Sequence, residues 1–118
     1  MSYDITFWKV KEIENLKIPL EAIQELPYVE VRLLSNNNVE ADGPTESFDL
    51  KGTLEGSVVN VIELEYGGEG SGHAWEKFKD MFRLSTGKFI ASIVWEGGDA
   101  ISRLIIKNGK VTEEEINI

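Results

Sequence analysis

The 118-residue sequence contains no cysteine and only one histidine, His73. It therefore has no disulfide framework, no thiol nucleophile, and no cysteine or second histidine that could join His73 at a metal ion. No run approaches the roughly 18 apolar residues of a membrane span. The N-terminus has neither the basic nor the apolar region of a signal peptide. These absences predict a cytoplasmic protein that does not insert into a membrane.

Basic residues are also scarce. The chain has 21 acidic and 12 basic residues, and its formal net charge is −9. This balance argues against nucleic acid as a ligand, because binding a phosphate backbone needs a basic surface. It suits a basic protein partner, since opposite charges speed encounter. The competing interpretation is that the acidic surface only keeps the protein soluble.

Residues 58–107 carry the clearest structural pattern. Residues 58–66 are rich in β-branched and apolar side chains, which predicts a strand. Four glycines in residues 67–72 interrupt it, and Ser71 is placed to cap a helix. A helix is predicted over residues 73–84, ending near Gly87 with a positive φ. Its apolar face is formed by residues three and four apart: Ala74, Trp75, Phe78, Met81 and Phe82.

Two further strands follow this helix. Residues 89–95 are apolar on both faces, which predicts a central strand. Residues 101–107 return as a second strand, and the dipeptide Asn108-Gly109 is typical of a type I′ turn. The turn predicts a hairpin into residues 110–112.

The first half of the chain is less regular. Alternation predicts strands over residues 3–10 and 28–34, the second near a sheet edge. Residues 11–17 are expected to connect the first strand to a short helix over residues 19–26, which Pro27 ends. Residues 35–44 are predicted to be a loop or wide hairpin. A short strand over residues 48–54 is expected to break near Gly52 and Gly56.

The order of these elements predicts a single α+β domain over residues 1–118. Two strand–helix–strand halves suggest a ferredoxin-like sandwich, in which two helices cover one face of a mainly antiparallel sheet. The C-terminal hairpin is added to that sheet. The alternative is a more strongly curved sheet that holds one long helix.

Few residues suggest chemistry. His73 follows the glycines at a helix start, where a general base could lie, but Ser71 fits a helix cap better than a nucleophile. The glycine segment lacks the lysine of a phosphate-binding loop, and Glu69 would repel phosphate. The acidic residues near the ends of neighbouring elements do not follow a metal-binding pattern. At least two of Trp8, Trp75 and Trp95 are expected in the core, and an exposed one would be a binding hot spot.

The first nine residues, Met-Ser-Tyr-Asp-Ile-Thr-Phe-Trp-Lys, are similar to the starts of small bacterial proteins found beside polymorphic toxins. The short, acidic, cysteine-free α+β chain resembles, as a type, the immunity proteins of contact-dependent growth inhibition and related toxin systems. The resemblance implies a toxin inhibitor that acts by protein–protein interaction. Such a protein is not an enzyme, needs no cofactor, and binds its cognate toxin domain so as to block the active site. If the toxin is a basic nuclease, carboxylates stand in for phosphates at its surface.

This function predicts an acidic contact surface around the glycine segment. The candidate partner-binding residues are Glu63, Glu65, Glu69, His73, Glu96 and Asp99. Residues 36–42 are a second candidate surface. The alternative function is a small-molecule-binding domain or enzyme with a ligand near the glycine loop and His73. The chain is expected to be a monomer, or a homodimer that pairs exposed strand edges.

Overall fold

A computed structural model describes residues 5–26, 29–43, 48–69, 72–95 and 100–115. In chain order the elements are β1 (Ile5–Pro19), α1 (Leu20–Gln24), β2 (Glu30–Leu33), a 3-10 turn (Ser35–Asn37), β3 (Asn38–Asp42), β4 (Asp49–Glu55), β5 (Val58–Glu65), β6 (Gly67–Glu69), α2 (Gly72–Arg83), β7 (Thr86–Trp95), β8 (Ala100–Lys107) and β9 (Lys110–Glu115). These elements confirm the α+β class and the mainly antiparallel sheet. No helix in these ranges is long and apolar enough to cross a membrane.

The strands form one sheet in the order β2-β3-β4-β5-β1-β7-β8-β9, and β6 also pairs with β1. All of these pairs are antiparallel. Around α2 the chain makes a split β-α-β unit, because β1 lies between β5 and β7. Around α1 it does not, since three strands separate β1 from β2. The described strands thus contain one split β-α-β unit, and the ferredoxin-like sandwich stays a prediction.

Strand β1 is much longer than predicted, and the connection expected over residues 11–17 is wrong. The strand continues through two irregularities in its pairing with β7, between Val10 and Glu12 and between Glu14 and Lys17. At the second, Asn15 has a φ of 49° and Gly87 a φ of 87°. Such bulges insert extra residues and bend the strand. They also disturb the two-residue alternation, which is why this segment did not resemble a strand.

Two other irregular segments pair into the sheet: residues 35–44, predicted to be a loop or a wide hairpin, and the glycine segment. Residues 38–42 form β3 after a tight turn in which Asn36 and Asn37 both have positive φ. The glycine segment begins as β6, which pairs with residues 5–7 of β1. Gly67 lies so close to the Phe7 ring that a Cβ atom there would collide with it. Close packing therefore explains this glycine without a ligand.

Aromatic rings hold α2 against the sheet. Phe78 lies 5.2 Å from Phe48 and 4.9 Å from Tyr66, measured between ring centroids. Phe82 stacks on Phe89 of β7 at 5.7 Å. Trp8 of β1 contacts four of these rings and is only 7% exposed, which confirms a core role for this tryptophan. The side chains of Trp75 and Trp95 lie outside the described part of the structure.

The C-terminal hairpin is confirmed, although β9 extends to Glu115. Asn108 and Gly109 have φ values of 47° and 84°, as a type I′ turn requires. The Asn108 side chain accepts a hydrogen bond from the Gly87 backbone at 2.9 Å, and its backbone N–H donates to the Gly87 carbonyl at 2.8 Å. Gly87 has the predicted positive φ but lies in β7, because α2 ends at Arg83. The hairpin thus joins the start of β7.

Truncating the aromatic packing should destabilise the fold. Phe82 is fully buried, and Phe82→Ala should lower the free energy of unfolding by about 3–5 kcal/mol through lost burial and a residual cavity. Phe7→Ala is the control, since Phe7 is 43% exposed, and it should cost clearly less. Urea unfolding of both variants would measure the difference. Equal losses would contradict the assignment of Phe82 to the core.

Candidate functional site

Strands β2 to β5 separate apolar and charged side chains onto opposite faces. Ala41, Leu50 and Leu64 lie opposite one another across the sheet and are at most 1% exposed. Their sequence neighbours point away from the core, because side chains alternate along a strand. We call this second surface, formed by the outward residues of β2 to β5, the outer face.

One row of the outer face consists entirely of carboxylates. Glu30 lies opposite Asp42, Asp42 opposite Asp49, and Asp49 opposite Glu65. Neighbouring strands are about 4.8 Å apart, so the row spans about 14 Å. Like charges directly opposite one another destabilise a sheet. The row of four carboxylates therefore lowers the stability of the sheet.

The adjacent row alternates in sign. Arg32 lies opposite Glu40, Glu40 opposite Lys51, and Lys51 opposite Glu63. Together the two rows hold six acidic and two basic side chains, a net charge of −4. The outer face is therefore acidic at neutral pH.

Arg32 links the two rows. Its guanidinium donates to both carboxylate oxygens of Asp42, at 3.2 Å and 2.8 Å, and lies 3.6 Å from Glu40. These hydrogen bonds are the main reason that the pKa of the Asp42 carboxyl lies below its ordinary value. Partial loss of hydration opposes the shift, and the positive charge of Arg32 adds to it. The pKa of Arg32 is raised, first by the hydrogen bond to Asp42 and then by its charge.

An apolar side chain projects from this acidic face. The pairing of β4 with β5 shifts between Lys51 and Gly52, which leaves Ile62 as an extra residue in β5. Ile62 is 59% exposed. A β-bulge leaves one residue unpaired and changes the direction of its side chain relative to the regular strand. The outer face thus combines carboxylates with an exposed isoleucine.

The structure brings together parts of both predicted surfaces. Glu63 and Glu65 are exposed on β5, and Glu40 and Asp42 come from the second candidate segment, residues 36–42. Glu69 lies on β6 and His73 in the first turn of α2, but their side chains lie outside the described part of the structure. Glu96 and Asp99 lie outside the described residues.

Two acidic residues of the outer face were not among the predicted partner-binding residues. Glu30 and Asp49 each stand at the start of a strand, opposite Asp42. The alternation of residues 28–34 already placed Glu30 on a polar face. The sequence holds no signal, however, for the register that aligns these carboxylates across four strands.

The described residues offer little support for a buried ligand. No group of three or more histidine, aspartate or glutamate side chains among them could hold one metal ion. A hollow of about 70 Å³ between α1 and α2 is much smaller than the 300–1,000 Å³ of typical ligand pockets. A wider, more open depression of about 450 Å³ lies beside α1 and is lined by Pro19, Leu20, Glu21, Gln24 and Ser57.

The Arg32–Asp42 pair should be visible in a titration. The Asp42 carboxyl should titrate below its ordinary pKa of 3.8, and Arg32→Met should raise that pKa by removing the hydrogen bonds. Because the folded pKa lies below the unfolded one, the pair stabilises the fold above about pH 4, and this contribution is lost as the pH falls through the folded pKa. Carboxyl ¹³C NMR of both proteins would measure the shift. An unchanged Asp42 pKa in the variant would show that Arg32 does not cause the shift.

Comparisons with known proteins give no family for this chain. No family model matches the sequence, and no curated protein and no solved structure matches it. The outer face of β2 to β5 remains the surface with the most distinctive chemistry among the described residues.

Proposed function

We propose that this chain is a cytoplasmic immunity protein that binds a cognate bacterial toxin domain and blocks its active site with an acidic surface. The observation that carries this proposal is the outer face, where a continuous row of four carboxylates crosses four strands. In this role the α+β scaffold, with its ferredoxin-like split unit around α2, presents the surface. The protein acts as an inhibitor and not as an enzyme.

The spacing of the carboxylates suits a basic partner. Carboxylates about 4.8 Å apart present a line of negative charge on a rigid sheet. A nuclease surface that binds a phosphate backbone carries a matching line of lysine and arginine side chains. Binding there would occupy the substrate path, and charge complementarity would speed encounter and fix the orientation.

Affinity needs more than charge. Exposed ion pairs contribute little, because solvent and salt screen them. A large apolar side chain buried at the centre of an interface contributes more, and carboxylates around it would exclude water. Ile62 stands beside Glu63 on β5 and has 59% of its surface available for such burial. We therefore assign Ile62 the role of apolar anchor.

The direct test is calorimetric titration with the C-terminal domain encoded by the gene immediately upstream. We expect one-to-one binding with a dissociation constant of about 1–100 nM, weakening as salt is raised. Inhibition of that domain's activity at equal molar ratio should accompany binding. Absence of binding would exclude this neighbour as the partner and count against the immunity role.

Charge reversal on the outer face should weaken the complex. Glu63→Lys together with Glu65→Lys should lower the affinity about 10-fold or more, because two attractions become repulsions. The matched control is Glu21→Lys with Glu25→Lys, which changes the net charge equally on exposed residues of the α1 region. Calorimetry at constant salt compares the two. Equal weakening by both pairs would show that net charge alone matters, and would remove the outer face from the binding model.

A further inference from the structure

The two outer edges of the described sheet differ in their chemistry. At one edge, Glu113 and Glu115 of β9 lie opposite Leu104 and Ser102, which are buried. These glutamates therefore stand on the core side of the strand, and inward-pointing charges block the pairing of an edge with another strand. At the other edge, β2 carries Val31 and Leu33 on the core side. The edge at β2 has no such block.

The free hydrogen-bonding groups of β2 can be identified from its pairing with β3. The Leu34 N–H donates to the Asn38 carbonyl at 2.8 Å. Hydrogen-bonded and non-bonded pairs alternate along an antiparallel ladder. The even-numbered residues Glu30 and Arg32 therefore bond to β3. The backbone groups of Val31 and Leu33 face the outer edge, as do those of Val29 just before the strand.

The sequence of β2 is complementary to itself in one register. A two-fold axis at Val31 places Glu30 of each copy opposite Arg32 of the other copy. The same axis places Leu33 of each copy opposite Val29 of the other. If the axis moves by one residue, Glu30 faces Glu30 of the second copy, or Arg32 faces Arg32 of the second copy. Like charges directly opposite one another are unfavourable. The favourable register also uses the outward-facing backbone groups, and forms about six hydrogen bonds.

Exposed apolar surface supports the same pairing. Leu33, the last residue of β2, is 59% exposed, and Leu34, which follows it, is 44% exposed. In the favourable register, Leu33 lies beside Val29 of the second copy on the core side, so the pairing removes apolar area from water. The guanidinium of Arg32 has five donors and uses only some of them on Asp42 and Glu40, so it can also bind Glu30 of the second copy.

We propose that the chain forms a symmetric homodimer in which β2 pairs antiparallel with β2 of a second copy about an axis at Val31. The two sheets then continue into one another, and Arg32 of each copy caps the carboxylate row of the other at Glu30. The dimer forms without any toxin domain.

Sedimentation velocity on the wild-type chain tests the association directly. The contact is short, so we expect a dissociation constant of about 1–100 µM, with the mass rising from 13.2 kDa towards twice that value as concentration increases. Leu33→Lys should keep the chain monomeric, because it places a charge on the core side of the edge. Leu84→Lys is the matched control, since Leu84 is 60% exposed and follows α2, and it should leave the dimer unchanged.

A charge exchange tests the register. Glu30→Lys alone and Arg32→Glu alone should each be monomeric, because each sets like charges against one another twice. An equimolar mixture should form a heterodimer, since every facing pair is then of opposite sign. Circular dichroism of each variant checks that the fold is kept, and Leu33→Lys tests the edge without altering the Arg32–Asp42 pair.

Three results would overturn the proposal. One is a wild-type chain that stays monomeric up to about 1 mM, well above the expected dissociation constant. Another is a mixture of the two charge variants that does not associate. The third is a Leu33→Lys variant that keeps the fold and still dimerises like the wild-type chain.

Discussion

The packing of Trp8 is the interaction on which the rest of the structure depends. Its ring lies 4.8 Å from Tyr66, 6.3 Å from Phe78, and 5.8 Å from both Phe82 and Phe89. These contacts join β1, α2 and β7 with the segment between β5 and β6. Aromatic pairs of this kind contribute about 0.5–1.5 kcal/mol each beyond the area they bury. Trp8 therefore holds the helix against one side of the sheet.

This one-sided arrangement explains how the outer face can be so acidic. A sheet packed on one face needs apolar side chains on that face alone, and the opposite residues are constrained much less. Directly opposed carboxylates still repel one another, and Arg32 offsets part of that repulsion at Asp42. The remaining charge lowers stability slightly, while it preorganises a surface for a positively charged partner. A stable core on one face and an unfavourable charge pattern on the other are thus two aspects of the same layout.

The accuracy of the sequence prediction depended on whether the signal was local. The α2 helix, the central β7 strand and the Asn108-Gly109 hairpin were predicted because spacing and turn chemistry within a few residues determine them. The length of β1 was missed because bulges at Asn15 and near Val10 interrupt the alternation. The same limit applies to the candidate surface. Glu63 and Glu65 were predicted as partner-binding residues, but the alignment of Asp42 and Asp49 with Glu65 depends on register across strands, which the sequence does not reveal.

The glutamates at positions 113 and 115 have a consequence for growth of the sheet. A chain with two adhesive edges would add further copies without limit, as filaments and amyloid fibrils do. Among the described strands, the edge at β9 is a poor template, because a new strand there would bury carboxylates on the core side. If two copies pair through their β2 edges, association stops at the dimer, because each copy then exposes only its β9 edge. The placement of these two charges thus limits growth of the described sheet at its β9 edge.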